Sequence, residues 1–444
     1  MGSRRIYQLG TMMLVSLVCL DLAHASTSLN TIQERTVSWP GSELETAFLS
    51  PHYLNTYEDV TGTQSLEDIL GQPDIFHPTT NILPIYTFTK SAIWTQLSIY
   101  HTSSTAQTIA LNTNYGFFDE FSVFLVGPDG QEVFRWQGGA NLPFYERPIK
   151  NRAFVIPLEL EPDTHYTLYT RMASDEAIII AQQISSLDYF KRRDREEQII
   201  TGLLYGAILI MLAYNLMLFA STRERGYGLY CVYLAFYGLF LFSFRGYGYE
   251  YLWPDSPLLQ KHSLTIFGPI ATAALVLFTQ DYLNTKESSP RHHRNLTILF
   301  YFCLCHVPLC LFIPGALANT LITAGIIGVS VYFIGLGMTM WRQGYQAARY
   351  YVLAFVVNLS AYIYSAMSLL RQEGYGENFV TKLNGLHMGL LEFGVLLEMV
   401  LLSVGVGYRI TLLRQEAQEL QELNFEFTAR AQKELEHEVE RQTQ

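Results

Sequence analysis

Two glutamates and two asparagines stand inside stretches that are otherwise apolar: Glu392 and Glu398 in 385–408, Asn358 in 350–370 and Asn215 in 198–219. A carboxylate at the middle of a membrane helix costs about 2.5–3.5 kcal/mol on insertion scales, so such groups face a protein interior and find partners there. Glu392, Glu398 and Asn358 are therefore candidates for a relay whose pairing differs between two helix arrangements. The competing reading is a fixed interhelical hydrogen bond, which is favoured for the asparagines. The six-residue spacing of the two glutamates sets them about 120° apart on a helix, so they need not share a partner.

A second group with chemical potential is aromatic. Trp94 and Tyr100 share a period-two stretch, and Trp136, Tyr145 and Arg147 cluster around "RWQGGANLPFYERP". Rings beside an arginine suit stacking on a sugar or holding a carboxylate, which makes Trp94, Trp136, Tyr145 and Arg147 candidate ligand contacts. Ordinary sandwich core and rim would use the same rings. A third stretch, "CLCHVPLC", aligns Cys303, His306 and Cys310 on one helix face, but a single helix supplies too few ligands for a tetrahedral site, so no metal is expected. His262, His306 and His387 form no matched pair at membrane depth for haem, and no cofactor is expected. The chain has no nucleophile–base pair, HExxH or phosphate-binding glycine loop, so no catalytic residue is assigned.

The elements that would position these residues differ along the chain. Of 444 residues, 49% are hydrophobic and 14% aromatic, more than a single soluble core uses. The net charge of −11 argues against a nucleic-acid binder. Arg4 and Arg5, an apolar run to Leu22 and Ala23-His24-Ala25 form a signal-peptide pattern covering 1–25. Cys231, Cys303, Cys305 and Cys310 all fall in apolar helices, so the expected exported domain, 26–190, carries no thiol and relies on its core.

That domain reads as all-β. "AIWTQLSIY" alternates, with Ile93, Leu97 and Ile99 on one face and Trp94, Gln96 and Ser98 on the other. "TIALNTN", "EFSVFLV", "QEVFRWQ", "RAFVIPLEL", "HYTLYTRM" and "AIIIAQQI" follow as further strands, with "PDG" turn chemistry at 128–130 and only scattered strands before residue 80. An antiparallel sandwich or jelly roll is expected.

From 196 to 408 the composition changes to seven apolar stretches near the ~20 residues that span a bilayer, namely 198–219, 227–244, 264–283, 296–313, 319–341, 350–370 and 385–408. With the amino-terminal domain outside, the inner loops hold more Arg and Lys than the outer ones. Lys191, Arg192, Arg193 and Arg195 oppose this bias, but a signal peptide commits the preceding domain to export regardless. An odd number of spans then puts 409–444 in the cytoplasm. There Leu413, Leu420 and Phe427 recur seven apart, with Asn424 as a polar seam member and Ala431, Leu435 and Val439 stepping by four, the pattern of a parallel coiled coil with a stutter. The acidic residues Glu416, Glu419, Glu422 and Glu426 argue against an anionic membrane surface as its partner.

Three long stretches resemble the bacterial seven-transmembrane receptors with diverse intracellular signalling modules. They are "GLLYGAILIMLAYNLMLF", "YGLYCVYLAFYGLFLFSFRGYGYEYLWP" and "GLLEFGVLLEMVLLSVGVGYRITLLRQE". The exported part is similar to that family's extracellular jelly-roll domain through "AIWTQLSIYHTSS", "GPDG", "LPFYERP" and "LYTRMAS". The resemblance implies an all-β jelly-roll/sandwich extracytoplasmic domain, a seven-helix transmembrane bundle and a cytoplasmic coiled-coil helix, placed in the bacterial inner membrane. It implies a sensor of a small-molecule or glycan ligand that pairs as a homodimer through its tail. The output would be a cytoplasmic signalling enzyme such as a histidine kinase, diguanylate cyclase or phosphatase. "ELEHEVERQTQ" resembles the linker preceding that output, so the output is expected either beyond residue 444 or on a separate protein docking on the tail. A membrane redox or transport protein using the intramembrane Glu and His side chains is the competing expectation.

Overall fold

The computed structural model describes residues 36–443 apart from 41–45, 49–52, 80–83, 87–88, 314 and 371–376, and its side-chain detail also leaves out 46–48, 316, 319–320, 323, 365–391, 434–440 and 442–443. The expected signal peptide and the side chain of His387 lie outside the described residues. The chain forms two compact units. One is β-rich and runs to Gly139, resuming from Arg147 to Lys191; the other is helical and includes Ala140–Glu146, Arg192–Tyr362 and the chain from Met388.

Among the described residues the β unit has thirteen strands. In chain order they are β1 (Thr36–Trp39), β2 (Thr46–Phe48), β3 (Asn55–Asp59), β4 (His77–Pro78), β5 (Ile85–Tyr86), β6 (Ala92–His101), β7 (Gln107–Asn112), β8 (Glu120–Val126), β9 (Glu132–Gly138), β10 (Val155–Leu160), β11 (Thr164–Ala173), β12 (Ile178–Ile179) and β13 (Gln183–Ser186). One sheet runs β4-β3-β6-β11-β8-β9, with β1 alongside β6; a second runs β10-β7-β13-β2. All pairings are antiparallel except that of β1 with β6, where Thr36 to Trp39 align with Ser98 to His101. The β8–β9 hairpin turns at Pro128-Asp129-Gly130: Gly130 takes a φ of 76°, which glycine adopts without strain, and Asp129 Oδ1 accepts from the Gln131 amide at 3.1 Å.

Alternation decides what each sheet buries. Ile93, Leu97 and Ile99 of β6, Phe121 and Val123 of β8, and Leu168 and Met172 of β11 meet Ile109 and Leu111 of β7, Ile156 and Leu158 of β10 and Ile184 of β13 in one core. This is the expected sandwich. The stretch "AIIIAQQI" differs, because it divides into β12 and β13, which join different sheets.

The other face of β6 is covered as well. Trp94, Phe124, Val126 and Tyr169 pack with Leu66 and Ile69 of a short helix, Leu66–Leu70. Ser65 and Asp68 form a capping box at its start, reached by a turn built on the fully buried Asp59. Burial alone raises the Asp59 carboxyl, but hydrogen bonds from the Thr61 hydroxyl and from the amides of Gln64, Gly62 and Thr61 outweigh it and hold the group below its ordinary value. A depressed carboxyl stabilises the fold above the unfolded value and loses that contribution as pH falls through the folded one. Asp59→Asn is therefore expected to destabilise the full chain at pH 7, and the gap to the parent should close below about pH 4, the ordinary Asp range. Thermal melts across pH check this; an equal gap at pH 3 and pH 7 contradicts it.

The helical unit contains α1 (Leu187–Thr222), α2 (Arg225–Phe244), α3 (Pro257–Tyr282), α4 (Pro290–Leu309), α5 (Gly315–Arg342), α6 (Ala348–Leu370) and α7 (Glu377–Thr443), of which α1 starts, α6 ends and α7 starts outside the unit's own residues. These seven helices occupy the seven expected stretches. Among the described residues, five contain a segment long and apolar enough to cross a membrane: 187–222, 225–244, 257–282, 324–342 and 392–433. Of the others, α4 opens with the polar "PRHHRN", which lowers its mean hydropathy. Tyr230, Phe278, Tyr282, Phe333 and Tyr351 are completely or almost completely buried at the centre of the unit. Leu203, Ile210 and Met217 of α1 lie mostly exposed on its outside, as lipid-facing side chains do. The first turns of α1 belong to the β unit, where Leu187 and Phe190 pack on Ala110 and Val155. Ala140–Glu146, between β9 and β10 in the chain, belongs to the helical unit. There the Phe144 amide donates to the Pro254 carbonyl at 2.9 Å, and the Phe144 ring meets Tyr249 edge-on.

Candidate functional site

The seventh helix concentrates the polar contacts of the helical unit. Its buried apolar stripe, Val395, Met399, Leu402, Val406 and Ile410, steps by three or four residues and faces the core. Glu392, Glu398, Ser403 and Arg409 flank that stripe, and each meets a different partner.

Toward the amino-terminal end of α7, Arg245 Nε lies 2.5 Å from Glu392 Oε1, and a second guanidinium nitrogen lies 3.6 Å from Glu197 of α1. Arg245 and Glu392 are each 9% exposed, so this is a buried ion pair that ties α7 to the end of α2. Two turns further along, Glu398 is 1% exposed. Its Oε1 accepts from the Tyr233 hydroxyl at 3.1 Å, and its Oε2 accepts from the Asn358 amide of α6. Beside it Tyr237 and Tyr362 share a hydrogen bond at 3.3 Å, and the Tyr230 hydroxyl donates to the Met399 carbonyl. Nearer the tail, the Ser403 hydroxyl donates to Asn215 Oδ1 at 3.1 Å, while Asn215 donates back to Met211 of its own helix. Finally Arg409 lies 2.6 Å from Asp281 at the end of α3.

Small residues let α7 approach its neighbours at two points. A Cβ on Gly394 would lie 2.4 Å from Ala361 Cβ of α6, and one on Gly405 would lie 2.6 Å from the Tyr282 hydroxyl. Such close approach is how helices gain van der Waals contact in lipid. The arrangement is a ladder: one helix held at successive levels by α1, α2, α3 and α6, mostly through single, specific polar contacts.

Of the expected relay residues, Glu398 and Asn358 come together, whereas Glu392 has separate partners. Sequence reasoning misses Arg245, Tyr233, Asp281 and Glu197. Arg245 lies just past the apolar run 227–244, at the same membrane edge as Glu392, which is a usable signal.

The expected ligand contacts are not gathered into one surface. Trp94 is fully buried and stacked on Phe124 with centroids 5.8 Å apart, so no face of its ring is open to a ligand. Its strand face points away from the core that Trp136 joins. Arg147 is 6% exposed; it donates to the carbonyls of Asn151, Arg152 and Gly116 at 2.8, 2.9 and 3.2 Å and lies over the Phe154 ring. That guanidinium clasps the loop instead of waiting for an external carboxylate. Trp136 touches the same Phe154 ring at 6.0 Å between centroids, and Tyr145 is 58% exposed. In the tail, Leu413, Leu420 and Phe427 are 46%, 61% and 74% exposed, with no partner from within the described residues. Among the described residues no three His, Cys, Asp or Glu side chains are grouped to hold a metal ion.

Residues 197–409 match the family model described as 7TM diverse intracellular signalling, and residues 51–186 match the one described as 7TMR-DISM extracellular 2. No curated protein matches the chain. The two models fall on the helical and β regions, and the chain belongs to the seven-transmembrane receptors with diverse intracellular signalling, membrane proteins with an extracellular domain and a sensory signalling role.

Proposed function

We propose that the chain is a receptor of the bacterial inner membrane that converts binding of a small molecule or glycan at its periplasmic β domain into a changed pairing of two cytoplasmic tails. One observation carries this reading: α7 is a single helix, Glu377–Thr443, bearing both the buried polar ladder and the exposed tail. A helix held by discrete contacts has discrete alternatives, since packed interfaces switch between arrangements instead of deforming continuously. A ligand shifts such an equilibrium only by binding one arrangement better, with couplings of about 1–3 kcal/mol.

Covalent continuity offers two entries for the stimulus, α1 through Leu187 and Phe190, and the segment Ala140–Glu146. Trp136 is the candidate contact of the β unit that keeps accessible ring surface, and it takes the ligand in this reading. Glu392, Glu398 and Asn358 act as the relay. Leu413, Leu420 and Phe427 form the seam between two copies, and a signalling enzyme such as a histidine kinase or diguanylate cyclase, attached or docked, reads it.

Replacing Leu413 and Leu420 together by Asp tests the pairing. Sedimentation of the detergent-solubilised chain should change from dimer to monomer, while the melting temperature of the bundle stays within a degree or two, because exposed tail positions contribute little to it. An unchanged dimer removes the tail as the pairing element.

A further inference from the structure

Glu398 differs from Glu392 in its compensation. Glu392 has Arg245. Among the described residues no Lys, Arg or His forms an ion pair with Glu398, although it is the more deeply buried of the two. An isolated carboxylate in a low-dielectric interior is costly, and two hydrogen bonds from neutral groups leave its charge unbalanced. Each of its oxygens accepts one bond, from Tyr233 or Asn358, and keeps further acceptor capacity.

That capacity borders a cavity of about 50 Å³ lined by Glu398, Asn358, Tyr237, Tyr362, Thr272 and Ser330 among others. Two of the hydroxyl protons around it are already directed elsewhere. The Thr272 hydroxyl donates to the Gly268 carbonyl at 3.0 Å and the Ser330 hydroxyl to the Ile326 carbonyl at 2.8 Å, each within its own helix. Tyr237 and Tyr362 are bonded to one another. Between apolar walls that include Phe240, Leu275 and Phe355, these groups offer the cavity oxygen atoms from α2, α3, α5, α6 and α7, around one carboxylate. A water needs about 10–15 Å³ of such space, so the volume suits one ion with one or two waters.

We propose that this cavity binds a monovalent alkali cation, coordinated by Glu398 and neighbouring hydroxyl oxygens. The donor set is all oxygen, which selects a hard ion over a soft transition metal. A single carboxylate balances a single charge, whereas divalent sites gather more carboxylates or an octahedral water shell. A bound cation would bridge five helices at the level of Glu398 and favour the arrangement that brings them together. The site shares Glu398 and Asn358 with the proposed relay, but cation binding is read by melting alone, without the stimulus and without tail pairing.

Melting the full chain in detergent against sodium chloride, with N-methyl-D-glucamine chloride holding ionic strength constant, tests it. A ligand that binds only the folded state raises stability in a saturable way. The melting temperature is expected to rise with sodium and saturate, and Glu398→Gln, which keeps the shape and an acceptor, should abolish the rise. Ser330→Ala should shift half-saturation about fivefold higher, the effect of one neutral oxygen contact. Should Glu398→Gln fail to fold, Ser330→Ala and Thr272→Val carry the test through the same shift. An equal rise with both salts, a sodium-dependent rise that persists in Glu398→Gln, or half-saturation unmoved by both hydroxyl variants overturns the proposal.

Discussion

Arg245→Ala will cost the helical unit about 3–5 kcal/mol, the usual consequence of removing one partner from a buried ion pair, because it leaves Glu392 charged and uncompensated. The geometry predicts a ranking as well as a size. Glu392→Gln should cost less, since Arg245 keeps Glu197 at 3.6 Å as an alternative partner. Replacing both Arg245 and Glu392 by Met should restore most of the parental melting temperature, because no charge is then buried alone. Melting of the four proteins in one detergent checks the ranking, and Arg245→Met and Glu392→Met singly close a double-mutant cycle with the double variant. The double variant is expected to be stable yet altered in tail pairing, since α7 has lost its fixed contact with α2. Equal small losses in all variants would mean that the pair is solvated and holds nothing.

Trp94→Ala will cost the β unit about 3–5 kcal/mol, the range for truncating a fully buried large aromatic. The indole fills the layer between β6 and the Leu66–Leu70 helix, against Ile69, Phe124 and Tyr169. Its loss removes the contacts that hold the short helix down. Trp136→Ala should cost less, because that ring is only partly buried. The comparison separates two roles for these tryptophans: a ligand contact loses binding while stability is kept, and a packing residue loses stability first. Unfolding of the full chain, followed through the β unit's near-ultraviolet signal, distinguishes them; an unchanged transition in Trp94→Ala contradicts its place in the layer.

The sandwich and the seven helices are legible because their signals are local. Period two in "AIWTQLSIY" correctly separates Ile93, Leu97 and Ile99 from Trp94, and apolar runs near the bilayer's thickness mark the spans. What alternation does not reveal is whether a second layer covers the other face. The helix that buries Trp94 lies 24 to 28 residues before it in the chain, and nothing in "LEDIL" announces its destination. Arg147 fails for a related reason, because three backbone carbonyls claim its donors and a backbone carbonyl has no signature in sequence. Inside the bilayer, the cost of charge shows that Glu392 and Glu398 need partners, but the partners lie 147 and 165 residues away in the chain. Arg245 is hidden by its place at a helix end, where basic residues also serve as topology determinants. Tyr233 is one tyrosine among several on an aromatic helix, and only the fold singles it out.

If contacts along α7 set how two tails pair, the distance between the tails reports it in a single reading. Spin labels at residue 420, in a chain with its native cysteines replaced, would give that distance in membranes. The account predicts a defined distance between the two copies in the parent and a different or broadened one in Arg245→Ala. A parental distance that Arg245→Ala leaves unchanged, or the absence of any distance between copies, would contradict it.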